Sequence, residues 1–148
     1  MTTSDELILL DTNILVYAAD SLSIYHQPAK SFRDKGRDGE FSICLAPQNL
    51  FEFYAVITDS RRVSQPLSPQ AAAAEIASYY CHPNITTLSQ AKITEAVFDL
   101  LAKRPVERQQ VFDLVLVATM LANNVRKICT YNQDHFTKFD EIAVITPE

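Results

Sequence analysis

The sequence predicts an α/β fold in which a parallel sheet of four to five strands carries helices on both faces. Segments of strand length alternate along the chain with segments of helix length, which is the element order of a parallel sheet. The strand segments are apolar throughout rather than alternating, as expected of strands that are buried on both faces. At 148 residues the chain is expected to form a single domain, residues 1–148.

The predicted elements follow from the apolar runs and from the residues at their boundaries. Strands are predicted at residues 7–10, 41–46, 84–88, 126–131 and 143–146, and helices at residues 13–19, 26–35, 47–60, 71–81, 89–103 and 110–124. Pro47 suits the first turn of a helix, and Ser68 followed by Pro69 combines a capping serine with a proline at the first helical position. Ser89 is expected to cap the fifth helix. Residues 35–40, which contain both glycines, are expected to form a loop.

Three acidic residues interrupt apolar segments. Asp113 lies in residues 111–121, a run that is apolar all round and offers no charged face. Asp11 ends the apolar run 7–10, and Glu52 interrupts the apolar run 50–57. Burying an ionised carboxylate without a partner is very unfavourable, so a compensating cation is expected. Three such acids predict one metal site.

Each acid also has a structural explanation. Asp11 could cap the helix that follows it, and Asn13 could be that cap instead or could orient Asp11. Glu52 could reach solvent or pair with an arginine. Asp113 could lie in the first turn of its helix, where the helix dipole favours a negative charge. That placement does not explain the apolar flanks of Asp113.

The donor types predict which metal the site would hold. Carboxylate oxygens without His or Cys ligands favour Mg²⁺ or Mn²⁺ over zinc. Such ions suit phosphodiester hydrolysis, because they polarise a phosphate and activate a water molecule. His26, His82 and His135 lack metal-ligand spacing and are expected on the surface or in loops. In a parallel sheet the ligand site lies beyond the carboxyl ends of the strands.

Charge and composition restrict the function classes. A net charge of −5 argues against a general nucleic-acid coat but not against a nuclease, because clustered acids bias the total. A bound nucleic acid would need a local basic rim. The candidates for such a rim are Lys30, Arg33, Lys35, Arg37, Arg61, Arg62, Lys103, Arg104 and Arg108.

The remaining composition favours a cytoplasmic protein without a membrane segment. No apolar run approaches membrane-spanning length, and the first residues lack the basic region of a secretory signal. The three cysteines include no Cys-x-x-Cys pair, which argues against a thiolate zinc site. Cys44 and Cys129 lie in strand-like runs and are expected to be buried structural thiols in a reducing compartment.

Four segments together resemble the PIN domain family over nearly the whole chain. The segments are Leu-Leu-Asp-Thr-Asn at 9–13, Leu-Ala-Pro-Gln-Asn-Leu-Phe-Glu-Phe-Tyr at 45–54, Phe-Asp-Leu-Val-Leu-Val-Ala-Thr at 112–119, and Cys-Thr-Tyr-Asn at 129–132 followed by His-Phe at 135–136. The length and the Glu-Phe-Tyr segment look most like the VapC toxins of toxin–antitoxin pairs. The resemblance implies a three-layer α/β/α sandwich and a Mg²⁺- or Mn²⁺-dependent endoribonuclease. It also implies a homodimer that a small antitoxin inhibits.

The resemblance implies that Asp11, Glu52 and Asp113 bind the metal. Where many PIN domains have a fourth aspartate, two residues after the threonine, this chain has Asn132. Because Asn132 follows the predicted strand 126–131, we expect it at the carboxyl edge of the sheet, where it would orient a water molecule and take part in catalysis. Asp134 is the alternative fourth acid and is expected in a turn. An acidic pocket also predicts an antitoxin with a basic C-terminal segment that enters the site.

Four alternatives compete with this interpretation. A haloacid-dehalogenase-like phosphatase also begins Asp-x-Asp after a strand, but here Asn13 replaces the second aspartate. A non-enzymatic receiver domain needs an aspartate at the end of its third strand, where this chain has Thr86-Thr87-Leu88. A PIN-like scaffold without activity would not be expected to retain all three acids. A housekeeping RNA-processing nuclease of the PIN family remains the nearest alternative to a toxin.

Overall fold

The computed structural model describes residues 6–147, and its centre is a five-stranded sheet in which every pairing is parallel. The strands are β1 (Ile8–Leu10), β2 (Ile43–Leu45), β3 (Ile85–Thr87), β4 (Lys127–Cys129) and β5 (Ala143–Ile145). Their order in the sheet is β3-β2-β1-β4-β5. The central strand β1 places Leu9 beside Cys44 of β2 and Ile128 of β4. The predicted α/β class and parallel sheet are confirmed.

Six α-helices connect the strands. They are α1 (Thr12–Ala19), α2 (His26–Arg37), α3 (Pro47–Ile57), α4 (Pro69–Tyr80), α5 (Thr94–Lys103) and α6 (Gln110–Ala122), and a short 3₁₀ helix at Gln133–His135 follows β4. Ser68 caps α4 by accepting a hydrogen bond from Ala71 N at 3.1 Å, as its position before Pro69 predicts. No helix within residues 6–147 is long and apolar enough to cross a membrane.

Two apolar cores cover the two faces of the sheet, because successive strand residues point to opposite faces. Leu9 belongs to the core that contains Leu114 and Val117 of α6, and Leu10 belongs to the core that contains Ile14 of α1 and Phe53 of α3. Helices α5 and α6 therefore form one outer layer and α1 to α4 form the other. The result is the three-layer α/β/α arrangement.

Both strand cysteines are buried, as expected. Cys44 and Cys129 are fully buried free thiols. Burial raises the pKa of each thiol to about 12, so both stay protonated and unreactive at neutral pH.

Two predicted boundaries were wrong. Ser89 does not cap the fifth helix, which begins at Thr94; its hydroxyl instead accepts from Ala91 N at 3.1 Å in a turn. Residues 35–40 are not wholly loop, because α2 continues to Arg37 with Gly36 inside it. A Cβ atom at Gly36 would lie 2.6 Å from Ile43 Cγ2, so the glycine lets α2 pass close to β2. Packing therefore explains a glycine that local sequence rules assign to a loop.

Candidate active site

The strand order reverses at β1, and a cavity of about 710 Å³ opens there. A reversal of this kind leaves a crevice at the carboxyl ends of the strands, where parallel sheets bind ligands. The cavity is lined by Asp11, Glu52, Asp113 and Asn132. Asp134 does not line it and lies in the neighbouring 3₁₀ helix. The fold thus brings together the four residues that the sequence analysis selected, from positions up to 121 residues apart.

Asp11 immediately follows β1 and is almost fully buried, with 8% of its surface exposed. Its Oδ1 accepts a hydrogen bond from Thr12 N at 2.8 Å and caps α1. Its Oδ2 accepts from Thr130 Oγ1 at 2.7 Å. Asp11 is therefore both a helix cap and a wall of the cavity, so the two explanations of its position do not exclude each other.

The environment of Asp11 disfavours its negative charge. Burial raises the pKa of this carboxyl to about 6, against the lowering effect of the Thr130 and Thr12 hydrogen bonds. The neighbouring carboxylates of Asp113 and Glu52 raise the pKa further by a smaller amount. A buried carboxylate of this kind gains from a cation beside it.

Glu52 projects from α3 and is exposed rather than buried. Its Oε1 accepts from Thr12 Oγ1 at 2.8 Å, and Asn49 Nδ2 donates to the same threonine oxygen at 3.3 Å. Gln48 Nε2 lies 3.4 Å from Glu52 Oε2. This exposure agrees with the alternative in which Glu52 reaches solvent, because the cavity opens on its side of α3.

Asp113 lies in the first turn of α6 and is half-buried. Its Oδ2 lies 3.2 Å from Nδ1 of His135, which is largely exposed. Burial raises the pKa of this carboxyl, and the charges of His135 and Lys138 act in the opposite direction. Asp113 was predicted to have apolar surroundings on all sides, but the buried part of α6 begins only at Leu114. The first turn of α6, which carries Asp113, borders the cavity instead.

A buried hydroxyl connects the two strand ends that meet at the cavity. Thr130 Oγ1 donates to Asp11, accepts from Asn13 Nδ2 at 3.2 Å and accepts from Asn132 N at 3.0 Å. Asn13 Oδ1 accepts in turn from Tyr131 N at 3.3 Å, so Asn13 joins α1 to the segment after β4. Asn13 is not the helix cap. Its Nδ2 donates to Thr130 Oγ1 and lies 3.5 Å from Asp11 Oδ2, so Asn13 helps to orient Asp11, as the second explanation expected.

The donor set fits a hard divalent cation in its chemistry. Asp11, Glu52 and Asp113 supply carboxylate oxygens, which Mg²⁺ and Mn²⁺ prefer. Across residues 6–147, however, no three His, Cys, Asp or Glu side chains are placed so that they could hold a metal ion together. In this arrangement Glu52 is engaged by Thr12 and Asp113 by His135. Both contacts are at exposed or half-exposed side chains, which can reorient.

The structure also separates the basic residues by role. Lys30 pairs with Asp34 at 2.9 Å, and Arg104 pairs with Glu141 at 3.1 Å on the surface. Arg33 is buried and donates to Tyr79. Arg62 alone among the rim candidates in the described part of the chain lines the cavity. The sequence offered no signal that distinguishes Arg62 from the other rim candidates, and it assigned His135 only to the surface or a loop.

Comparison with known proteins identifies the family. The PIN domain family model matches residues 8–143. The chain belongs to the PIN domain family. This assignment confirms the resemblance of the four segments and removes the phosphatase and receiver-domain alternatives. Divalent-metal dependence is a general property of this family.

A named relative and two solved structures are similar to this chain over nearly their whole length. Ribonuclease VapC24 of Mycobacterium tuberculosis is 26% identical over 141 residues, covering 95% of this chain and 97% of its own. The crystal structure of the M. tuberculosis VapC20 toxin, which cleaves the sarcin–ricin loop, superposes with a TM-score of 0.65 at 14% identity, covering 89% and 95%. VapBC2 from Rickettsia felis, solved with a promoter DNA fragment, superposes with a TM-score of 0.64 at 17% identity. This match covers 96% of this chain and 99% of the other. These structures share the fold of this PIN domain.

Proposed function

We propose that this single-domain PIN protein is a metal-dependent endoribonuclease and the toxin of a toxin–antitoxin pair. The observation that carries the proposal is the cavity at the carboxyl end of β1, where Asp11, Glu52, Asp113 and Asn132 meet. The family assignment supports hydrolysis of a nucleic acid, and a relative named as a ribonuclease supports RNA as the substrate. We propose a cytoplasmic location as well, which is typical of VapC toxins.

In this proposal Asp11, Glu52 and Asp113 hold Mg²⁺ or Mn²⁺. When bound, the ion polarises the scissile phosphate and lowers the pKa of a coordinated water molecule. The protein contributes a rigid carboxylate at Asp11, which Thr130 and the backbone of Thr12 fix in place. Glu52 and Asp113 are more exposed than Asp11, and their side chains would reorient to reach the same ion.

Asn132 supplies an uncharged group at the edge of the cavity. Its backbone is fixed by the hydrogen bond to Thr130, and its side chain lines the cavity. The amide oxygen accepts a hydrogen bond from water without adding negative charge. We therefore assign Asn132 to orienting the attacking water rather than to the charge that holds the ion.

The test is cleavage of RNA by single-acid variants. Asp11→Asn, Glu52→Gln and Asp113→Asn should each lower the cleavage rate by about two orders of magnitude or more, because each removes charge from the centre that stabilises the leaving oxygen. Excess chelator should stop cleavage by the unaltered protein, and Mn²⁺ should restore it.

Matched controls come from α5, whose acids are exposed and do not line the cavity. Asp99→Asn and Glu95→Gln remove the same groups outside the site and should leave the rate unchanged. Cleavage that persists in excess chelator, or that survives Asp113→Asn, would exclude this mechanism.

The proposed partner is a small antitoxin whose basic C-terminal segment enters the acidic cavity. Three structures with this fold are antitoxin complexes: VapBC2, FitAB bound to a DNA fragment, and FitAcB from Neisseria gonorrhoeae. They support an antitoxin for this chain as well. A homodimer of this chain is proposed from the same family resemblance. Inhibition of cleavage by the product of an adjacent small gene would support the toxin assignment. Absence of such a gene, with no growth arrest on expression, would instead favour a housekeeping RNA-processing nuclease.

A further inference from the structure

Two side chains give the cavity features that its acids do not explain. Arg62, in the turn after α3, is the one Lys or Arg among the lining residues of the described chain. Phe112, in the first turn of α6, lines the same cavity with 56% of its surface exposed. An exposed phenylalanine alone needs no explanation, but here it is adjacent in sequence to Asp113, a proposed metal ligand.

The position of Arg62 is fixed while its charge remains available. Arg62 N and Val63 N both donate to Asp59 O, at 2.9 and 3.2 Å, and Val63 is buried. The turn is thereby anchored to the end of α3. No hydrogen bond or ion pair engages the Arg62 side chain within residues 6–147. Its charge acts on Asp59 only at longer range, where it helps to lower the pKa of that carboxyl. The neighbouring Arg61 is instead bound to Asp59 through Nε at 3.1 Å and does not line the cavity.

The backbone of Phe112 is also held in place. Gln48 Nε2, from α3, donates to Phe112 O at 3.0 Å. This bond ties the start of α6 to α3, which also carries Glu52. The ring therefore presents an apolar surface at a defined place in a cavity whose other walls carry three carboxylates.

We propose that Arg62 and Phe112 form a nucleotide clamp, in which Arg62 binds a backbone phosphate next to the scissile one and Phe112 stacks on an unpaired base. The planar guanidinium matches a phosphate in two hydrogen bonds, and its charge offsets the repulsion between RNA and the three acids. Aromatic rings stack on any base, so Phe112 provides affinity without sequence readout. The clamp rests on the proposed ribonuclease function and assigns its substrate contacts.

The experiment measures binding separately from cleavage. A short fluorescein-labelled single-stranded RNA is titrated with protein carrying Asp113→Asn, and anisotropy is followed at several salt concentrations. In this background, Arg62→Ala should weaken binding and lower the slope of log Kd against log salt by about 0.7, the value for one phosphate contact with a single strand. Phe112→Ala should weaken binding about 5- to 150-fold with an unchanged slope.

The matched controls are an arginine and a phenylalanine that do not line the cavity. Arg61→Ala removes an adjacent arginine that is committed to Asp59, and Phe98→Ala removes a phenylalanine that is 64% exposed on α5. Both should bind like the parent. Arg62→Lys should retain the salt slope, and Phe112→Tyr should retain the affinity. The comparison is repeated with RNAs that each lack one base at a different position. At one position Phe112→Ala should no longer weaken binding, because the missing base is the one that stacks on Phe112.

The outcomes separate the clamp from the proposed function. The clamp would be overturned if Arg62→Ala and Arg61→Ala lost the same RNA affinity, or if Phe112→Ala and Phe98→Ala bound the RNA equally well. It would also be overturned if the parent protein did not bind the RNA. Binding that follows the expected pattern, by a protein that never cleaves RNA when Asp113 is restored, would support the clamp and reject the ribonuclease. RNA cleavage by the protein with Asp113 restored, together with unaltered RNA binding in every variant, would support the ribonuclease and reject the clamp.

Discussion

His135 Nδ1 lies 3.2 Å from Asp113 Oδ2 and joins the 3₁₀ helix after β4 to the first turn of α6. The side chains are 55% and 29% exposed, so the contact contributes at most about 1 kcal/mol. Asp113 is also a proposed metal ligand, so a metal ion bound there would share the Asp113 carboxylate with His135.

Metal binding should stabilise the folded protein in a way that depends on Asp113. A ligand that binds only the native state raises stability by mass action, by about 2.7 kcal/mol at 100 times Kd. We expect Mn²⁺ to raise the melting temperature of the unaltered protein and to raise that of Asp113→Asn much less. Asp99→Asn is the control and should respond like the unaltered protein. Equal rises in all three proteins would contradict the assignment of Asp113.

Removal of His135 should strengthen metal binding slightly. His135→Ala frees Asp113 from an exposed contact of at most about 1 kcal/mol, so the Mn²⁺ affinity should rise by no more than about fivefold. Isothermal titration calorimetry measures this difference directly. A tenfold or larger loss of affinity would show that His135 is itself a ligand and would reverse the interpretation of the contact.

Thr130 should support both the fold and the metal site through its hydroxyl. Thr130→Val keeps the shape but removes the donor to Asp11 and the acceptor for Asn13 and Asn132. Buried groups left without partners cost about 1–3 kcal/mol, which urea unfolding of metal-free protein would detect. Thr130→Ser should lower the free energy of unfolding by about 1 kcal/mol, because it removes a buried methyl group. It keeps the hydroxyl and should therefore keep the Mn²⁺ affinity that Thr130→Val loses. Equal Mn²⁺ affinities for the two variants would exclude a role in orienting Asp11.

Asn132 should matter more for cleavage than Asp134. Asn132 lines the cavity, whereas Asp134 is exposed in the 3₁₀ helix outside it. Asn132→Ala should therefore reduce the cleavage rate at saturating Mn²⁺ more than Asp134→Asn does. The opposite order, or Asp134 bound to Mn²⁺ in a crystal, would restore a site with four carboxylates.

Gly36 should tolerate no side chain while Ile43 faces it. Alanine normally favours a helix over glycine by about 1 kcal/mol, but a Cβ here would lie 2.6 Å from Ile43 Cγ2 and 2.7 Å from Cδ1. Gly36→Ala should therefore destabilise the protein by about 1–3 kcal/mol, the usual cost of overpacking. In an Ile43→Ala background the same change should cost little, since the contacting atoms are gone. An undiminished cost there would place the strain elsewhere.

Much of the fold follows from local patterns. The apolar runs around Leu9, Cys44 and Ile128 predicted buried parallel strands, because only strands covered on both faces are apolar at every position. Ser68 and Pro69 predicted the start of α4 from the needs of its first backbone groups. Ser89 was wrongly predicted to cap α5, since a serine hydroxyl can accept a hydrogen bond in a turn as well as at the start of a helix.

The sequence by itself determined the α/β class and selected Asp11, Glu52 and Asp113, because charged groups inside or beside apolar runs need a physical reason. The resemblance to PIN domains added Asn132. Only the tertiary structure decided how those groups are held. Thr130 reaches Asp11 across 119 residues of sequence, and Arg62 rather than its neighbour lines the cavity. Such contacts depend on where β1, β4, α3 and α6 meet at the switch in strand order. Local sequence cannot encode them, since each arises from packing between segments far apart in the chain.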